Sequence, residues 1–411
     1  MNLSPPVSSR LMMAVLFLLG PLVYVAPLSA AVVLPAATIV AGAIMRGQAM
    51  EWRRISRTLL AWLPLFALML ASGLWALDGK AALTLAARLI LVIVLGLALV
   101  RWCRDLPADS LRRLLPALAI GLMLANLYVL ADLALDGALA RLTHAPRSNF
   151  DFATYYGRGA TIHAILLAPL GWGLWRAGAK RLAAAQFVLA AICILATHDL
   201  SAKVALAGAI GGAVLVLALP QLRWAFLALV GLVALGLPLA FPVQLDQAQE
   251  CWMFANKKSA LHRIYIWNFV VGRIADRPML GWGLDAARRM PGGQDTVTMG
   301  ENCPGANPVI GQKLPLHPHN AILQTWLELG AAGIVLGFGG LILTLGRVYA
   351  RRRRIVAAVL VASSVAGTLV ALVSYGVWQE WFLSSLMLAA AVAALALRQD
   401  DLAAPPDRRA V

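Results

Sequence analysis

The chain has 411 residues, of which 61% are hydrophobic and 13% charged, and its 35 Lys and Arg against 19 Asp and Glu give a net charge of +16. Soluble domains run to about 45–50% apolar and about 25% charged residues, so this composition excludes an ordinary soluble fold. It predicts an all-α polytopic membrane protein, because a chain crossing hydrocarbon must satisfy its own backbone hydrogen bonds over about 20 mostly apolar residues.

In chain order, twelve segments meet that requirement: Leu11–Pro27, Leu28–Ile44, Thr58–Leu77, Ala81–Val100, Leu114–Leu135, Ala160–Trp175, Leu182–Ala196, Ala202–Leu219, Trp224–Phe241, Ile322–Leu345, Ile355–Tyr375 and Trp381–Leu397. The first two form one apolar stretch divided at Pro27. The leading segment follows Arg10 and resembles a signal peptide with a cleavage site at Ser29-Ala30-Ala31, but it is expected to be retained as a span. Basic residues fill alternate connections: Arg46, Arg53, Arg54 and Arg57; then Arg101, Arg104, Arg112 and Arg113; then Arg176, Lys180 and Arg181; then Arg223; then Arg347 and Arg351 to Arg354. The positive-inside rule makes these connections cytoplasmic, with both termini. Orientation and contact with anionic membrane lipid account for the Arg351–Arg354 run, so no nucleic acid is expected as a partner.

Two outer connections are long. One, Asp136 to Gly159, carries Arg141, Arg147 and Arg158 with Tyr155 and Tyr156; the other, Pro242 to Pro318, is the largest polar block. The chain therefore reads as nine spans over 1–241, a large periplasmic loop over 242–318, three spans over 319–398 and a cytoplasmic tail over 399–411.

Positive charge on the translocated side runs against the orientation bias and needs a separate reason. The loop holds Lys257, Lys258, Arg263, Arg273, Arg277, Arg288, Arg289 and Lys313. A guanidinium fork suits phosphate and carboxylate alike. Arg273, Arg277 and Arg289 read as solvated or paired with Asp276 and Asp285. Ser259 is placed to cap a helix running to about Asp276, with Ile264, Trp267, Phe269, Val270 and Ile274 as its apolar stripe, lying on the membrane or against the bundle. Arg277-Pro278 ends it, and Gly281-Trp282-Gly283 makes a tight turn that lacks the Lys-Ser/Thr of a phosphate-cradling loop, so no nucleotide is expected. Cys251 and Cys303 share this loop, and a disulfide between them would suit an oxidising compartment, although sequence does not fix their distance. They lack the close spacing of a zinc site.

Two of the six histidines, His317 and His319, flank Pro318 where the loop re-enters the membrane. Two apart, they share no helical face, and no metal site is expected. A neutral imidazole is suited to taking a proton from a sugar hydroxyl. The plainer alternative is that His319 or Asn320 only caps the helix that follows. Charge inside a span is costly and usually functional or paired, which singles out Glu328 and Lys203. Lys203 lies at an outer helix end, where it either snorkels or meets a phosphate.

Three stretches together resemble the superfamily of O-antigen ligases and O-antigen polymerases. Ser259-Ala260-Leu261-His262-Arg263-Ile264-Tyr265-Ile266-Trp267, followed by Arg277-Pro278-Met279-Leu280-Gly281-Trp282-Gly283-Leu284, is similar to its Ser-x-x-x-Arg-x-x-x-Trp and Pro-x-x-Gly-x-Gly pattern. His319-Asn320-Ala321-Ile322-Leu323, with Glu328-Leu329-Gly330 downstream, is similar to its His-Asn-x-x-Leu and Glu-x-Gly. Ser201-Ala202-Lys203 stands where the family more often has Ser-Arg, which keeps the charge and loses the bidentate fork.

The resemblance implies a membrane-embedded, GT-C-like glycosyltransferase that needs no metal or cofactor and uses an undecaprenyl diphosphate-linked glycan as donor. It implies Arg263 and Arg288 on the diphosphate, Lys203 and Arg158 as helpers, and His319 as general base. Asn320, Glu328, His317 and Trp267 are expected in support. A ligase passes the glycan to a sugar hydroxyl of lipid A-core, whereas a polymerase passes it to another lipid-linked repeat. Moderate length and one dominant outer loop favour the ligase. The short stretch after the last span disfavours a protein O-oligosaccharyltransferase. A flippase or transporter is disfavoured because no internal repeat is visible and the candidate groups gather at one face.

Overall fold

The computed structural model describes residues 5–45, 52–143 and 152–403. Arg46, Arg147 and the tail beyond residue 403 lie outside them. Among the described residues the regular structure is helical apart from one short hairpin. Helices α1 (Pro5–Val25) and α2 (Ala30–Ile44) are parted by a 3-10 turn at Pro27–Ser29, where Ala26 leaves helical geometry at φ −141°. Then come α3 (Trp52–Ala71), α4 (Gly79–Asp105), α5 (Ala108–Ala134), the short α6 (Ala138–Thr143) and α7 (Phe152–Tyr155), α8 (Gly157–Arg176), α9 (Lys180–Ala196), α10 (Leu200–Ala218) and α11 (Leu222–Gly236). The loop contributes α12 (Gln247–Asp276) and an antiparallel pair, β1 (Thr296–Met299) with β2 (Val309–Gln312), in register Thr296 opposite Gln312. The chain returns through α13 (Ala321–Gly333), a π-helical turn at Ile334–Phe338, α14 (Gly339–Ala350), α15 (Arg354–Val373) and α16 (Glu380–Leu402).

Among the described residues nine helical runs are long and apolar enough to cross a membrane: α1, Pro27–Ile44, α4, α5, α10, Leu222–Ala240, Ala321–Ala350, α15 and α16. The other three predicted segments are also helical, but Leu59–Leu74, made of the end of α3 and the 3-10 turn Ser72–Leu74, and the 17-residue α9 are short, and α8 carries Arg158, His163 and Arg176. A polytopic membrane protein therefore stands on nine runs rather than on the twelve expected.

Helix α16 is the central post, packed on α2, α4 and α8, while α10 packs on α15 and α1 on α5. Its far end carries Asp400, paired with Arg176 at 2.8 Å and Arg353 at 2.5 Å, and Asp401, paired with Arg104 at 2.8 Å and Arg352 at 3.1 Å. These pairs clamp α4, α8 and the start of α15 at the end of the bundle opposite the loop.

The loop helix differs from its prediction. It starts twelve residues before Ser259, because Asp246 accepts from the Gln249 N–H and the Gln249 side chain accepts from the Asp246 N–H, a capping box. A break at Lys257 (φ −147°) then bends α12, and Ser259 sits just beyond that bend instead of at a helix start. The second half packs against the bundle: Ile266, Val270 and Ile274 are buried with Met290, Leu314, Leu323 and Leu327. Cys251 and Cys303 are disulfide-bonded, with Cα atoms 5.3 Å apart, which ties the first half of α12 to the turn before β2.

Candidate active site

The site forms where three loop segments meet the ends of α10, α13 and α16. The first segment is the break inside α13. Gly330 lies at φ +63°, a region open to glycine at little cost, and the turn Pro278–Gly283 docks into the gap. Trp282 N–H donates to the Leu327 carbonyl at 2.8 Å, Gly283 N–H to the Glu328 carbonyl at 2.9 Å, and Ala331 N–H to the Pro278 carbonyl at 2.9 Å. The two backbones approach so closely that a Cβ on Gly281 would lie 2.5 Å from the Glu328 carbonyl carbon, and one on Gly330 would lie 2.4 Å from Met279. The Pro-x-x-Gly-x-Gly and Glu-x-Gly stretches are thus two halves of one joint.

That joint sets the Arg288 turn. Glu328 is 0% exposed, and its Oε2 accepts from Asp285 N–H at 2.6 Å while its Oε1 faces Ala287 N–H at 3.4 Å. Asp285, held at φ +64°, pairs with Arg288 at 3.1 Å and Arg289 at 2.7 Å. Arg289 also reaches Asp78 at 3.1 Å, Arg273 pairs with Asp276 at 3.4 Å, and Arg277 lies over the Trp282 ring at 4.2 Å. These three are neutralised or stacked within the protein. Arg288 is half exposed.

Arg263 differs from them all. It stands half-buried on the second half of α12, and among the described residues its buried Nε has no hydrogen-bond partner and its guanidinium joins no ion pair. Burial pushes its pKa down against the opposing pull of Asp199, but a guanidinium stays charged. A half-buried guanidinium that joins no ion pair among the described residues suits an anion, because a charge drawn partly out of water is favoured by a partner of opposite sign.

The histidine turn completes the site. Trp267 Nε1–H donates to the Pro318 carbonyl at 2.7 Å and holds the turn on α12. Asn320 caps α13, its Oδ1 accepting from Ile322 and Leu323 N–H at 3.0 Å each, so capping falls to Asn320 and leaves His319 free for other work. His319 adopts φ +56°, which a non-glycine residue enters at a cost of roughly 1–2 kcal/mol. His317 steadies it: the rings lie 4.3 Å apart, and His317 Nδ1 accepts from His319 N–H at 3.2 Å.

Geometry sets the His319 tautomer. Its Nδ1 lies 2.6 Å from the Ser374 carbonyl, which can only accept, so Nδ1 carries the hydrogen and Nε2 keeps its lone pair. Burial, together with the charge of Arg263, holds its pKa below the usual imidazole value. Burial pushes His317 down further, to about 3. Both rings are neutral at pH 7, and His319 has the form of a base.

Of the remaining expected residues, Arg158 stands over the Trp381 ring at 5.7 Å, and Trp381 packs on Tyr375 next to Ser374. Lys203 lies one turn into α10; its N–H faces the Asp199 carbonyl at 3.4 Å, and among the described residues no side-chain contact joins it to Arg263 or His319. The sequence reading missed Gln324, Gln379 and Asp199. Asp199 caps α10 and lies within electrostatic reach of Arg263, and the Gln379 amide faces His317 Nε2 at 3.2 Å. Gln324 had a visible signal, since it stands four residues before Glu328 on one helical face.

Residues 185–338 match the family model described as O-antigen ligase. That range holds Arg263, Arg288, His317, His319 and Glu328, and leaves out Arg158. The chain is 28% identical over 319 residues to a Rickettsia conorii protein named "Putative polysaccharide ligase", covering 76% of this chain and 74% of that one. A protein of the same name from Rickettsia felis is 27% identical over 66% of this chain and 64% of its own length. One from Rickettsia prowazekii is 30% identical over 43% of each.

Proposed function

We propose that the chain is an O-antigen ligase-family protein that transfers a glycan from undecaprenyl diphosphate to a sugar hydroxyl of lipid A-core, a reading supported by the family match and the polysaccharide-ligase relatives. The observation that carries this reading is the pairing of a base with an unpaired cation. His319 presents a bare Nε2 because Ser374 holds its Nδ1–H, and half-buried Arg263 joins no ion pair among the described residues.

In the proposed step the acceptor hydroxyl oxygen attacks the anomeric carbon as the bond from that carbon to the diphosphate oxygen breaks. His319 Nε2 takes the hydroxyl proton, and the electron pair leaves on the diphosphate, where Arg263 and Arg288 meet the growing charge. Attack opposite the leaving group inverts the anomeric centre. Arg158 and Lys203 would contact the outer parts of the donor. Alternating arginine-rich connections support twelve spans, cytoplasmic termini and a site facing the periplasm, with 242–318 as the substrate-binding loop.

Purified protein in liposomes, given lipid-linked glycan and lipid A-core, should form the ligated product. Elongation of the donor without use of lipid A-core would identify a polymerase, and full transfer by the Arg263→Ala protein would overturn the diphosphate role.

A further inference from the structure

The Arg288 turn and the His319 turn are far apart in sequence and touch different helices, yet one buried pair binds both. Glu328 Oε1 accepts from the Gln324 side-chain amide at 3.2 Å, and Gln324 Oε1 accepts from Val377 N–H at 3.0 Å. Glu328 is the residue that holds Asp285 and Ala287 N–H, hence the turn bearing Arg288. Val377 belongs to the turn that follows Ser374, whose carbonyl fixes the His319 tautomer. Gly376 presses on both partners: a Cβ there would lie 3.0 Å from the His317 ring and 3.2 Å from Gln324 Oε1. The path Arg288 turn, Glu328, Gln324, Val377, Ser374, His319 is continuous, and Gln324 at 5% exposure is sealed from water like its partner.

We propose that Glu328 and Gln324 are positioning residues that fix the donor-side arginine turn and the base-side histidine turn relative to each other. The proposal rests on the reading that Arg288 meets the diphosphate and His319 takes the proton. A merely structural anchor would need only one of the two turns. Here the pair's hydrogen bonds run across the join: the carboxylate takes the backbone donors of one turn and the amide of Gln324, and the amide oxygen takes the donor of the other turn. Mis-setting either by an ångström is expected to cost rate through geometry while the bundle stays folded.

The test is a set of substitutions in the liposome assay, with polyprenyl diphosphate binding measured separately. Gln324→Leu keeps Glu328 on the Arg288 turn and cuts the link to Val377. It should lower kcat about 10- to 100-fold with polyprenyl diphosphate affinity within about twofold of wild type. Glu328→Gln should lower kcat and also weaken polyprenyl diphosphate binding about tenfold, since an amide cannot accept from both neighbours. The exchange Gln324→Glu with Glu328→Gln preserves charge and restores an acceptor opposite Val377 and a donor between the pair. It should recover at least about tenfold of the activity lost in Glu328→Gln. An exchange no better than the worse single variant, or wild-type kcat in Gln324→Leu, overturns the coupling. Full activity in Arg288→Ala and His319→Asn would instead overturn the functional reading beneath it.

Discussion

The sharpest perturbation of the proposed base is His319→Asn. Alanine would confound the result, because φ +56° costs alanine about 1–2 kcal/mol, whereas asparagine is among the few residues that enter this region readily. The asparagine amide can also donate to the Ser374 carbonyl in place of Nδ1–H. The turn is therefore retained and only the proton acceptor is lost. General base catalysis is worth about 10²- to 10⁴-fold, or roughly 3–5 kcal/mol of barrier, so kcat should fall by that factor with polyprenyl diphosphate affinity unchanged. The wild-type pH profile gives a second readout. Burial holds the His319 pKa below its ordinary value, so the active neutral form persists below pH 6.5 and activity is lost only as pH falls through the lowered pKa. Transfer should be measured from pH 4.5 to 8 by gel mobility of the ligated lipid. More than half the wild-type kcat in His319→Asn, or an acid limb centred above pH 7, would refute the assignment.

Arg263→Lys should raise the donor KM about tenfold and Arg263→Ala further, since the ammonium keeps charge and loses the planar fork; equal KM in both would refute the fork argument. Joint replacement of Cys251 and Cys303 by serine opens a loop with 52 residues of separation, which the chain-entropy view values at about 4 kcal/mol. Limited proteolysis should then cut the 247–303 region faster than in wild type under non-reducing conditions. Asp400→Asn at the opposite end leaves Arg176 and Arg353 without their carboxylate. Because Arg353 is half exposed the cost should be only about 2 kcal/mol, seen as a lower Tm in detergent with kcat unchanged. The His317 pKa of about 3 lies below its unfolded value near 6.5. The neutral ring's contribution is therefore complete above pH 6.5 and is lost as pH falls toward 3. Proteolytic protection of the 317–319 turn should decline over that window and decline less in His317→Gln.

Much of this protein is legible without coordinates. Long apolar runs can satisfy backbone hydrogen bonds in hydrocarbon only as helices, so the helical character of the twelve apolar segments follows from composition and spacing alone. The break at Pro27 and the placing of Glu328 inside a span belong to the same class, since each follows from what one residue type can do locally. Helix starts were less secure: the Asp246 capping box and the bend at Lys257 compete on nearly equal local terms with a start at Ser259.

Tertiary structure decided everything that depends on two distant segments meeting. The pairing of Arg289 with Asp285 four residues earlier is open to a local reading, but its second partner Asp78 and the lack of any ion pair on Arg263 among the described residues are not. The tautomer of His319, and with it the proposed role as base, depends on a carbonyl 55 residues away, at Ser374. The glycine-rich turn and Glu-Leu-Gly look like separate signals in the chain, and only the close approach of their backbones shows them to be one joint. Apolar periodicity is a property of neighbours in sequence, whereas charge compensation and hydrogen-bond partnership are properties of neighbours in space, and here the chemistry rests on the second.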